Sequence, residues 1–290
     1  MKSGSFEYAR PDNLLAVFSL LDEFGDDAKI LAGGQSLIPA MNMRMAAPEM
    51  LIDVARVDAL KGIEITGDIL RIGAMSRHID VMKSGDVSQR APLISMAMPH
   101  IAHTTIRNRG TFGGSLCNAD PAAELPACTV ALNAKFNIQS SSGIRSLGAE
   151  EFFKGIYTTA LEATEILVSV DVPIAGRGSR AYFDEIARRK GDYAMVGLAA
   201  HAEIRDGCFK LARLAFFGVS EMPILAAAAS RLLSGTPLDQ VKISEVCEAL
   251  SEDIEPFEDL TTSAAAKRHM ANILLARALT AFQSQERAHG

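Results

Sequence analysis

The chain has 290 residues, of which 48% are hydrophobic and 22% charged, and its formal net charge is −6. This is the composition of an ordinary globular protein that is long enough for two or three domains, each with its own core. The negative charge and the absence of any lysine- and arginine-rich run argue against a nucleic-acid-binding protein.

Signals for membrane insertion and secretion are also absent from the sequence. The opening residues, MKSGSFEYARPD, lack the apolar core of a signal peptide. No uninterrupted apolar run approaches the roughly 18 residues that span a bilayer. We therefore expect a cytoplasmic protein without a membrane span.

Neither the cysteines nor the histidines have the spacing typical of metal ligands. The four cysteines form no CxxC pair and no Cys/His pattern, so we expect free thiols and no resident metal. His100 and His103 form an i, i+3 pair that could bind a metal. Because no third ligand stands nearby, a capping or surface role is the better interpretation of this pair.

The N-terminal elements alternate between helix and strand. Apolar residues at i, i+3, i+4 and i+7 from Leu14 predict a helix that ends at Gly25. A strand at 29–32 then leads into the glycine turn 33–36, a helix at 37–45 and a strand at 50–54. A glycine turn between a strand and a helix N-terminus directs backbone N–H groups at an anion.

The middle of the chain contains a second glycine segment. A hairpin at 63–72 and a helical region at 77–103 precede it, and a helix at about 121–132 follows. Strands are predicted at 135–139, 144–147 and 166–172. In the segment itself, TTIRNRGTFGGSLCNADPAAELPA at 104–127, a Gly-Gly pair is flanked by two hydroxyls and followed by Asp120. An isolated Gly-Gly is more often a turn, but glycine also lets a backbone approach a ligand closely.

The C-terminal part has a different organisation. After the glycine-containing boundary at 174–179, three antiparallel strands are predicted at 180–187, 195–205 and 208–219, and helices at 223–233, 244–250 and 264–282. A run of strands followed by a run of helices indicates a separate α+β layer.

The two glycine segments, about 80 residues apart, would together suit a ligand with two phosphates. The sequence contains no G-x-G-x-x-G fingerprint, no P-loop and no G-x-S-x-G elbow. It therefore predicts a dinucleotide held without a Rossmann fingerprint, with any redox chemistry supplied by that cofactor.

The chain resembles the FAD-binding medium subunit of the molybdenum hydroxylases. The matching motifs are AGGQSLIP at 32–39, LIDV at 51–54, TIRNRGTFGGSLCNADPAAELPA at 105–127 and RRKGDYAMVG at 188–197. The family includes aerobic carbon monoxide dehydrogenases, dehydrogenases of aromatic N-heterocycles and the flavin domain of xanthine dehydrogenase.

The resemblance implies an α+β protein of two domains. An FAD-binding domain of the vanillyl-alcohol oxidase (PCMH) type would cover residues 1–175, with subdomains of about 1–56 and 57–175. A domain of a three-stranded antiparallel sheet with helices would cover 179–290.

The resemblance also implies a set of cofactor-binding residues and no catalytic residue in this chain. The FAD pyrophosphate would lie at Ala32, Gly33, Gly34, Gln35 and Ser36, and the second wall of the site would be Thr111, Phe112, Gly113, Gly114 and Ser115. Glu124 would bond nucleotide hydroxyls, the backbone of Leu167 would lie near the adenine, and Tyr193 would cover one face of the isoalloxazine. Without the resemblance, Tyr193 would be interpreted as a half-buried strand residue.

Two residues depart from the family pattern. Ser115 stands where many relatives have Asn or Asp, which leaves its backbone N–H as the expected contact. Phe112 replaces the usual Ile or Val, a bulkier residue beneath the cofactor. FAD is expected to be held without a covalent bond, and the benzoyl-CoA reductase branch is disfavoured because the chain has no cysteine-rich loop.

The function implied is that of a flavin relay. Substrate would be oxidised at a molybdenum–molybdopterin centre on a large subunit, and electrons would pass through [2Fe–2S] clusters on a small subunit to FAD and an external acceptor, in a dimer of heterotrimers. The sequence PAAELPA after Asp120 favours an aromatic N-heterocycle as substrate over carbon monoxide. A free-standing flavin oxidoreductase is the alternative function, and a scaffold without cofactor is the least favoured.

Overall fold

The N-terminal region is a three-stranded parallel sheet with two helices. The computed structural model describes residues 2–287, so residue 1 and the last three residues of the predicted C-terminal domain, 288–290, lie outside it. The elements are β1 (Glu7–Ala9), α1 (Leu14–Phe24), β2 (Ala28–Leu31), α2 (Leu37–Asn42) and β3 (Met50–Asp53), and the strand order is β1-β3-β2.

Local sequence explains why α1 forms where it does. The Asn13 side chain caps the helix by accepting a hydrogen bond from the N–H of Ala16 at 2.9 Å. The helix buries Val17, Phe18 and Leu21 against β3, and it ends at Gly25, whose φ is +50°. The predicted helix and its end are therefore confirmed.

The second region is a five-stranded antiparallel sheet with helices on one side. Its elements are β4 (Ile63–Thr66), β5 (Ile69–Gly73), α3 (His78–Lys83), α4 (Gly85–Arg90), α5 (Pro92–Ala97), α6 (Thr104–Arg107), α7 (Phe112–Asn118), α8 (Glu124–Ala131), β6 (Lys135–Ser140), β7 (Gly143–Gly148), α9 (Ala149–Phe152), β8 (Phe153–Gly155), β9 (Thr158–Thr159) and β10 (Ile166–Pro173). The strand order is β4-β5-β10-β6-β7, and β8 and β9 form a separate hairpin.

The helical region predicted at 77–103 is divided into three short helices rather than one. Ser84 ends α3 and caps α4, since its Oγ accepts a hydrogen bond from the N–H of Val87 at 3.3 Å. Pro92 then begins α5, where its missing N–H costs nothing. The two breaks turn the chain so that Val87, Leu93 and other apolar side chains reach one core.

The second glycine segment is largely helical, which the sequence did not predict. Thr111 is the N-cap of α7, and its Oγ1 accepts a hydrogen bond from the N–H of Gly114 at 3.2 Å. A Cβ on Gly113 would lie 2.7 Å from the Cα of Ala74, so only glycine lets this helix approach the end of β5. The cap and this close approach outweigh the poor helix propensity of glycine.

The C-terminal region is a four-stranded antiparallel sheet with three helices. Its elements are β11 (Ser179–Ala187), β12 (Ala194–Arg205), β13 (Cys208–Phe217), β14 (Ile224–Leu225), α10 (Ala227–Leu233), α11 (Ile243–Asp253) and α12 (Ala264–Arg287). The sheet has four strands where the sequence predicted three. The additional strand is β14, in which Ile224 pairs with Phe216 before α10 begins.

The two faces of the C-terminal sheet pack against different partners. Phe183, Ala199 and Phe217 belong to the large core of the second region, which α5 and α8 also enter. The other face, including Leu198 and Phe216, packs against α10–α12. The C-terminal sheet is therefore continuous with the core of the second region, and this brings the β11–β12 turn beside the glycine segments.

Within residues 2–287, no helix combines the length and apolarity needed to cross a membrane.

Candidate functional site

A cavity of about 700 Å³ lies where the three regions meet. It is lined by both glycine segments, the start of α8, the β8–β9 hairpin, β10 and the β11–β12 turn. Of the predicted cofactor-binding residues, its wall contains 32–36, Thr111, 113–115, Glu124, Leu167 and Tyr193. Residues separated by up to about 160 positions in sequence thus share one site.

Phe112 is the predicted site residue that does not line this cavity. Its side chain is fully buried in the large core, among residues such as Leu116 and Phe136. Because α7 turns this side chain away from the cavity, Phe112 supports the helix rather than offering a contact surface.

The first glycine segment offers free backbone donors. Among the described residues, the N–H groups of 33–36 donate to no backbone or side-chain acceptor. Gly34 has a φ of +71°, and the Gln35 side chain donates to the carbonyl oxygen of Gly33 at 3.0 Å, which fixes the turn. Successive unpaired N–H groups in a turn form a concave site for an anion.

The N–H groups of the second segment are used within the protein. Those of Phe112 and Gly113 donate to the carbonyl oxygens of Ser76 and Ala74, both at 2.8 Å. The N–H of Ser115 donates to Thr111 O at 3.0 Å, so the expectation that this N–H is available to the cofactor was wrong. The second segment therefore contributes a smooth glycine surface and the Ser115 side chain, and the first segment contributes the donors.

The two glycine segments touch each other. A Cβ on Gly33 would lie 2.8 Å from the Cα of Gly110, immediately before Thr111. Close approach of two backbones leaves a wall without side chains between them. This wall suits an elongated ligand that passes over both segments.

Two exposed tyrosines flank the mouth of the cavity. Tyr193 is 71% exposed and precedes β12, so the alternative interpretation as a half-buried strand residue was wrong. Tyr157 is 61% exposed and was not singled out from the sequence. Its position depends on a left-handed backbone conformation in the β8–β9 turn, φ +51°, which no local pattern of GIYTT indicates.

Glu124 is the first residue of α8 and lies in the cavity wall. Burial raises the pKa of this carboxyl to about 8, and the charges of Glu185 and Asp120 act in the same direction. A hydrogen bond from its own backbone N–H and the charge of His100 oppose the shift. At neutral pH the Glu124 carboxyl is therefore mostly protonated and can donate a hydrogen bond.

His78 is a buried polar residue of the cavity wall that the sequence did not assign to the site. Its Nδ1 has no hydrogen-bond partner among the described residues. Burial and the nearby Arg107 lower the pKa of this imidazole to about 4, so it is neutral near pH 7. Gly110 lies against the ring, where a Cβ would be 2.7 Å from its Cδ2.

Leu167 contributes to the wall from β10. Its side chain is buried in the large core, and a β-bulge between Leu167 and Ser169 interrupts the pairing with β6. Bulges redirect a strand locally and often stand beside functional sites. Here the bulge lies where β10 passes the cavity.

The histidine pair at 100 and 103 lacks a set of further metal ligands in the described part of the chain. His100 pairs with Glu185, and no group of three His, Cys, Asp or Glu side chains that could hold a metal occurs within residues 2–287.

The free N–H groups, the glycine wall and the aromatic mouth together define a binding site for a large cofactor with an anionic part and a planar part. These features fit FAD, whose diphosphate needs donors and whose ring system needs flat apolar surface. The Glu124 carboxyl in the wall adds a polar group for such a ligand.

Comparison with known protein families supports the interpretation of this cavity as an FAD-binding site. Residues 4–175 match the family described as the FAD binding domain in molybdopterin dehydrogenase. Residues 181–282 match the CO dehydrogenase flavoprotein C-terminal domain. The chain belongs to the FAD-binding subunits of the molybdenum hydroxylases; it is an oxidoreductase subunit, and FAD is its cofactor.

Individual relatives match over nearly the whole chain. The 6-hydroxypseudooxynicotine dehydrogenase complex subunit alpha of Paenarthrobacter nicotinovorans is 37% identical over 96% of this chain and 95% of its own. A chain of the carbon monoxide dehydrogenase from Hydrogenophaga pseudoflava superposes with a TM-score of 0.95 and 36% identity, covering 98% of this chain and 99% of that one. For quinoline 2-oxidoreductase from Pseudomonas putida 86 the TM-score is 0.92 and the identity 37%, with the same coverage.

Proposed function

We propose that this chain holds FAD as an electron relay between a partner subunit and an external acceptor. Electrons would arrive from [2Fe–2S] clusters of a small subunit, and substrate would be oxidised at a molybdenum–molybdopterin centre on a large subunit. The observation that carries the proposal is the geometry of the cavity, in which free N–H donors line one wall and Tyr193 stands exposed at the mouth. A cofactor held this way keeps one end near the surface, where a partner or an acceptor can reach it.

The proposal assigns a task to each part of the wall. The N–H groups of 33–36 bind the pyrophosphate, and the surface of Gly113 and Gly114 lets it lie close to the backbone. Tyr193 packs against the isoalloxazine and excludes water from it. The Ser115 hydroxyl and the Glu124 carboxyl form hydrogen bonds with the cofactor. The backbone of Leu167 faces its adenine end. The chemistry that FAD supplies is the acceptance and release of one or two electrons.

We assign residues 1–175 to an FAD-binding domain of the vanillyl-alcohol oxidase type, with subdomains of about 1–56 and 57–175, and 179–290 to the C-terminal domain. The parallel sheet and the antiparallel sheet on either side of the cavity support this assignment.

The relatives of this chain support the presence of partner subunits. One relative is named as a subunit of a dehydrogenase complex, and the carbon monoxide dehydrogenase from Hydrogenophaga pseudoflava is described as lacking the Mo-pyranopterin moiety of its molybdenum cofactor. We propose a dimer of heterotrimers in which this chain is the medium subunit.

The substrate of the complex has two candidates. An aromatic N-heterocycle is supported by the similarity to the quinoline enzyme, and carbon monoxide is supported equally by the similarity to the carbon monoxide dehydrogenase. The substrate contacts belong to the large subunit under this proposal, so the cavity of this chain does not select between them.

One experiment tests the relay. The complex purified with its FAD is mixed without oxygen with quinoline, nicotine or carbon monoxide, and the visible absorbance of the flavin is followed. We expect the flavin to be bleached in the complex by one substrate class and to stay oxidised in the isolated FAD-loaded chain. Bleaching in the isolated chain would instead establish a free-standing flavin oxidoreductase, and the absence of flavin from both samples would overturn the proposal.

The residue assignments have a separate test. Titration of the apo chain with FAD should give a weaker affinity for Gly114→Glu and for Tyr193→Ala. A Cβ on residue 114 would lie 2.6 Å from Oγ1 of Thr111 and 3.5 Å from the Cβ of Ala32, so the glutamate side chain disturbs the glycine wall, and Tyr193→Ala removes the aromatic surface. Leu15→Ala, an exposed position outside the cavity wall, serves as the control. Wild-type affinity in both site variants would refute the placement of the cofactor.

A further inference from the structure

A short turn at 101–103, immediately before α6, lies against the β11–β12 turn that carries Tyr193. Residues of both turns line the cavity. We propose that Arg107, by fixing the turn at 101–103, positions Tyr193 over the flavin ring. The proposal rests on the proposed function in that Tyr193 covers the isoalloxazine of FAD.

The turn at 101–103 has a backbone conformation that needs support. Ala102 has a φ of +43°, in the left-handed region that a residue with a Cβ disfavours. Nη1 of Arg107 donates hydrogen bonds to the carbonyl oxygens of Ile101 and Ala102, both at 2.8 Å, and Nη2 donates to Oγ1 of Thr104 at 3.3 Å. Hydrogen bonds from a charged donor are stronger than neutral ones, so the guanidinium stabilises this turn.

The turn at 101–103 packs directly against Gly191 of the β11–β12 turn. A Cβ on Gly191 would lie 2.6 Å from Cε1 of His103 and 3.2 Å from the carbonyl oxygen of Ala102. Gly191 also has a φ of +81°, so both its backbone conformation and this close approach require glycine. The contact joins the backbone two residues before Tyr193 to the turn that Arg107 holds.

The tip of the β11–β12 turn keeps its shape through local hydrogen bonds. The N–H of Tyr193 donates to Oδ1 of Asp192 at 3.1 Å, and Nε of Arg189 donates to Oδ2 of Asp192 at 3.2 Å. These bonds join residues of the turn to one another and do not reach the turn at 101–103. The strands β11 and β12 therefore fix the base of this turn, and the contact at Gly191 fixes its tip relative to the cavity.

Tyr193 depends on this backbone contact because its side chain is 71% exposed and has little packing of its own. An aromatic side chain shields a flat heterocycle from water only while the two rings are in contact. A small displacement of the turn would therefore uncover the flavin. Arg107 is not among the residues that line the cavity, so it is a positioning residue that acts through Tyr193 rather than a contact of the cofactor.

The experiment measures how well the flavin ring is covered. The full chain is loaded with FAD, and the quenching of flavin fluorescence by iodide is recorded, since iodide reaches only ring surface that is open to solvent. Arg107→Met removes the hydrogen bonds to the turn at 101–103, and Gly191→Ala places a Cβ against that turn. We expect each variant, like Tyr193→Ala, to raise the iodide quenching constant about twofold or more, because the loss of a hydrogen bond from a charged donor shifts a conformational equilibrium by at least that factor.

Combination with Tyr193→Ala separates positioning from a merely structural role. If Arg107 acts through Tyr193, then Arg107→Met should not raise iodide quenching further in a chain that already carries Tyr193→Ala. A general loosening of the cavity would increase quenching in both backgrounds. Additive increases in the double variant would therefore overturn the proposal.

Each variant has a matched control outside the cavity wall. Gly207→Ala adds a Cβ at a φ of +68° in the β12–β13 turn, where nothing lies within 4 Å of it, so it reproduces the backbone strain without the contact. Arg205→Met removes an arginine side chain that is 71% exposed. Both controls should show wild-type iodide quenching, and an increase in Gly207→Ala equal to that in Gly191→Ala would overturn the contact as the cause.

The outcomes distinguish this proposal from the proposed function. A wild-type chain that binds no FAD overturns the proposed function, and wild-type quenching in Tyr193→Ala overturns the placement of the flavin beneath this tyrosine. An effect of Tyr193→Ala without any effect of Arg107→Met and Gly191→Ala overturns the positioning role alone. If one of these two variants loses FAD, the other decides. If both lose FAD while Tyr193→Ala retains it, the positioning role is also overturned, because their effect then does not pass through Tyr193.

Discussion

The hydroxyl of Tyr157 donates a hydrogen bond to the carboxylate of Asp120 at 3.2 Å. The N–H of the same tyrosine donates to the carbonyl oxygen of Ala119 at 3.1 Å. A left-handed backbone at a tyrosine costs about 1–2 kcal/mol, and these two bonds offset it. The tip of the β8–β9 hairpin is thereby tied to the end of α7 at the mouth of the cavity.

We expect Tyr157→Phe to weaken FAD binding by a factor of about 2–10, because one hydrogen bond that positions the mouth is lost. Titration of the apo chain, followed by flavin fluorescence, measures the change. Tyr8→Phe is the control, since it removes a hydroxyl that donates to Asp53 at 2.6 Å, away from the cavity wall. Equal affinities for wild type and Tyr157→Phe would show that the hydrogen bond from Tyr157 to Asp120 does not contribute to FAD binding.

Much of the fold follows from local sequence patterns. The apolar spacing from Leu14 predicted α1, the Asp206-Gly207 turn predicted the hairpin of β12 and β13, and the apolar run from Ile166 predicted β10. These elements are long or strongly periodic, so tertiary contacts agree with the local preference.

The elements that the sequence did not reveal depend on partners elsewhere in the chain. β1 and β14 are two or three residues long and exist only because β3 and β13 supply their hydrogen bonds. The helix at Gly113 is fixed by its fit against Ala74. For the cavity, the strand–turn–helix pattern predicted the anion site at 33–36 and the resemblance supplied Tyr193, whereas Tyr157 and His78 emerge only from the folded chain.

Gly113→Ala should lower the free energy of unfolding by about 2 kcal/mol, as overpacking usually does. The new Cβ would lie 2.7 Å from the Cα of Ala74, and backbone atoms cannot move aside cheaply. Gly85→Ala is the matched control within a helix, because nothing lies within 4 Å of its added Cβ. Urea unfolding of both variants measures the difference, and equal stabilities would contradict the close approach.

His78 should make the apo chain less stable in acid. Its pKa is lowered from 6.5 to about 4, so its contribution to stability is fully present above pH 6.5 and is lost as the pH falls toward 4. The shift corresponds to about 3 kcal/mol at the acid end. Urea unfolding at pH 7 and pH 4 should show a smaller loss for His78→Gln than for wild type.

The control for this pH dependence is His269→Gln, which changes an exposed histidine on α12. Its loss of stability between the two pH values should match that of the wild-type chain. If His78→Gln also matches wild type, the imidazole of His78 is not protected from protonation in the folded chain.

Asp259→Asn should destabilise the C-terminal region more than Lys267→Met does. The Lys267 side chain is 3% exposed, and its Nζ lies 2.9 Å from Asp259 and 3.0 Å from the carbonyl oxygen of Gly218. Asn at 259 keeps an oxygen for the N–H of Thr261 but leaves the buried ammonium without its counter-charge. Because the Asp259 side chain is 38% exposed, we expect a cost below the about 3–5 kcal/mol of a fully buried pair. Lys267→Met removes the buried charge itself and fills the same space, so we expect a smaller loss in the free energy of unfolding.

A double-mutant cycle measured by urea unfolding tests the coupling of the two side chains. Asp259→Asn should have almost no effect on stability in the Lys267→Met background, and additive losses would show that the two side chains do not form a coupled pair.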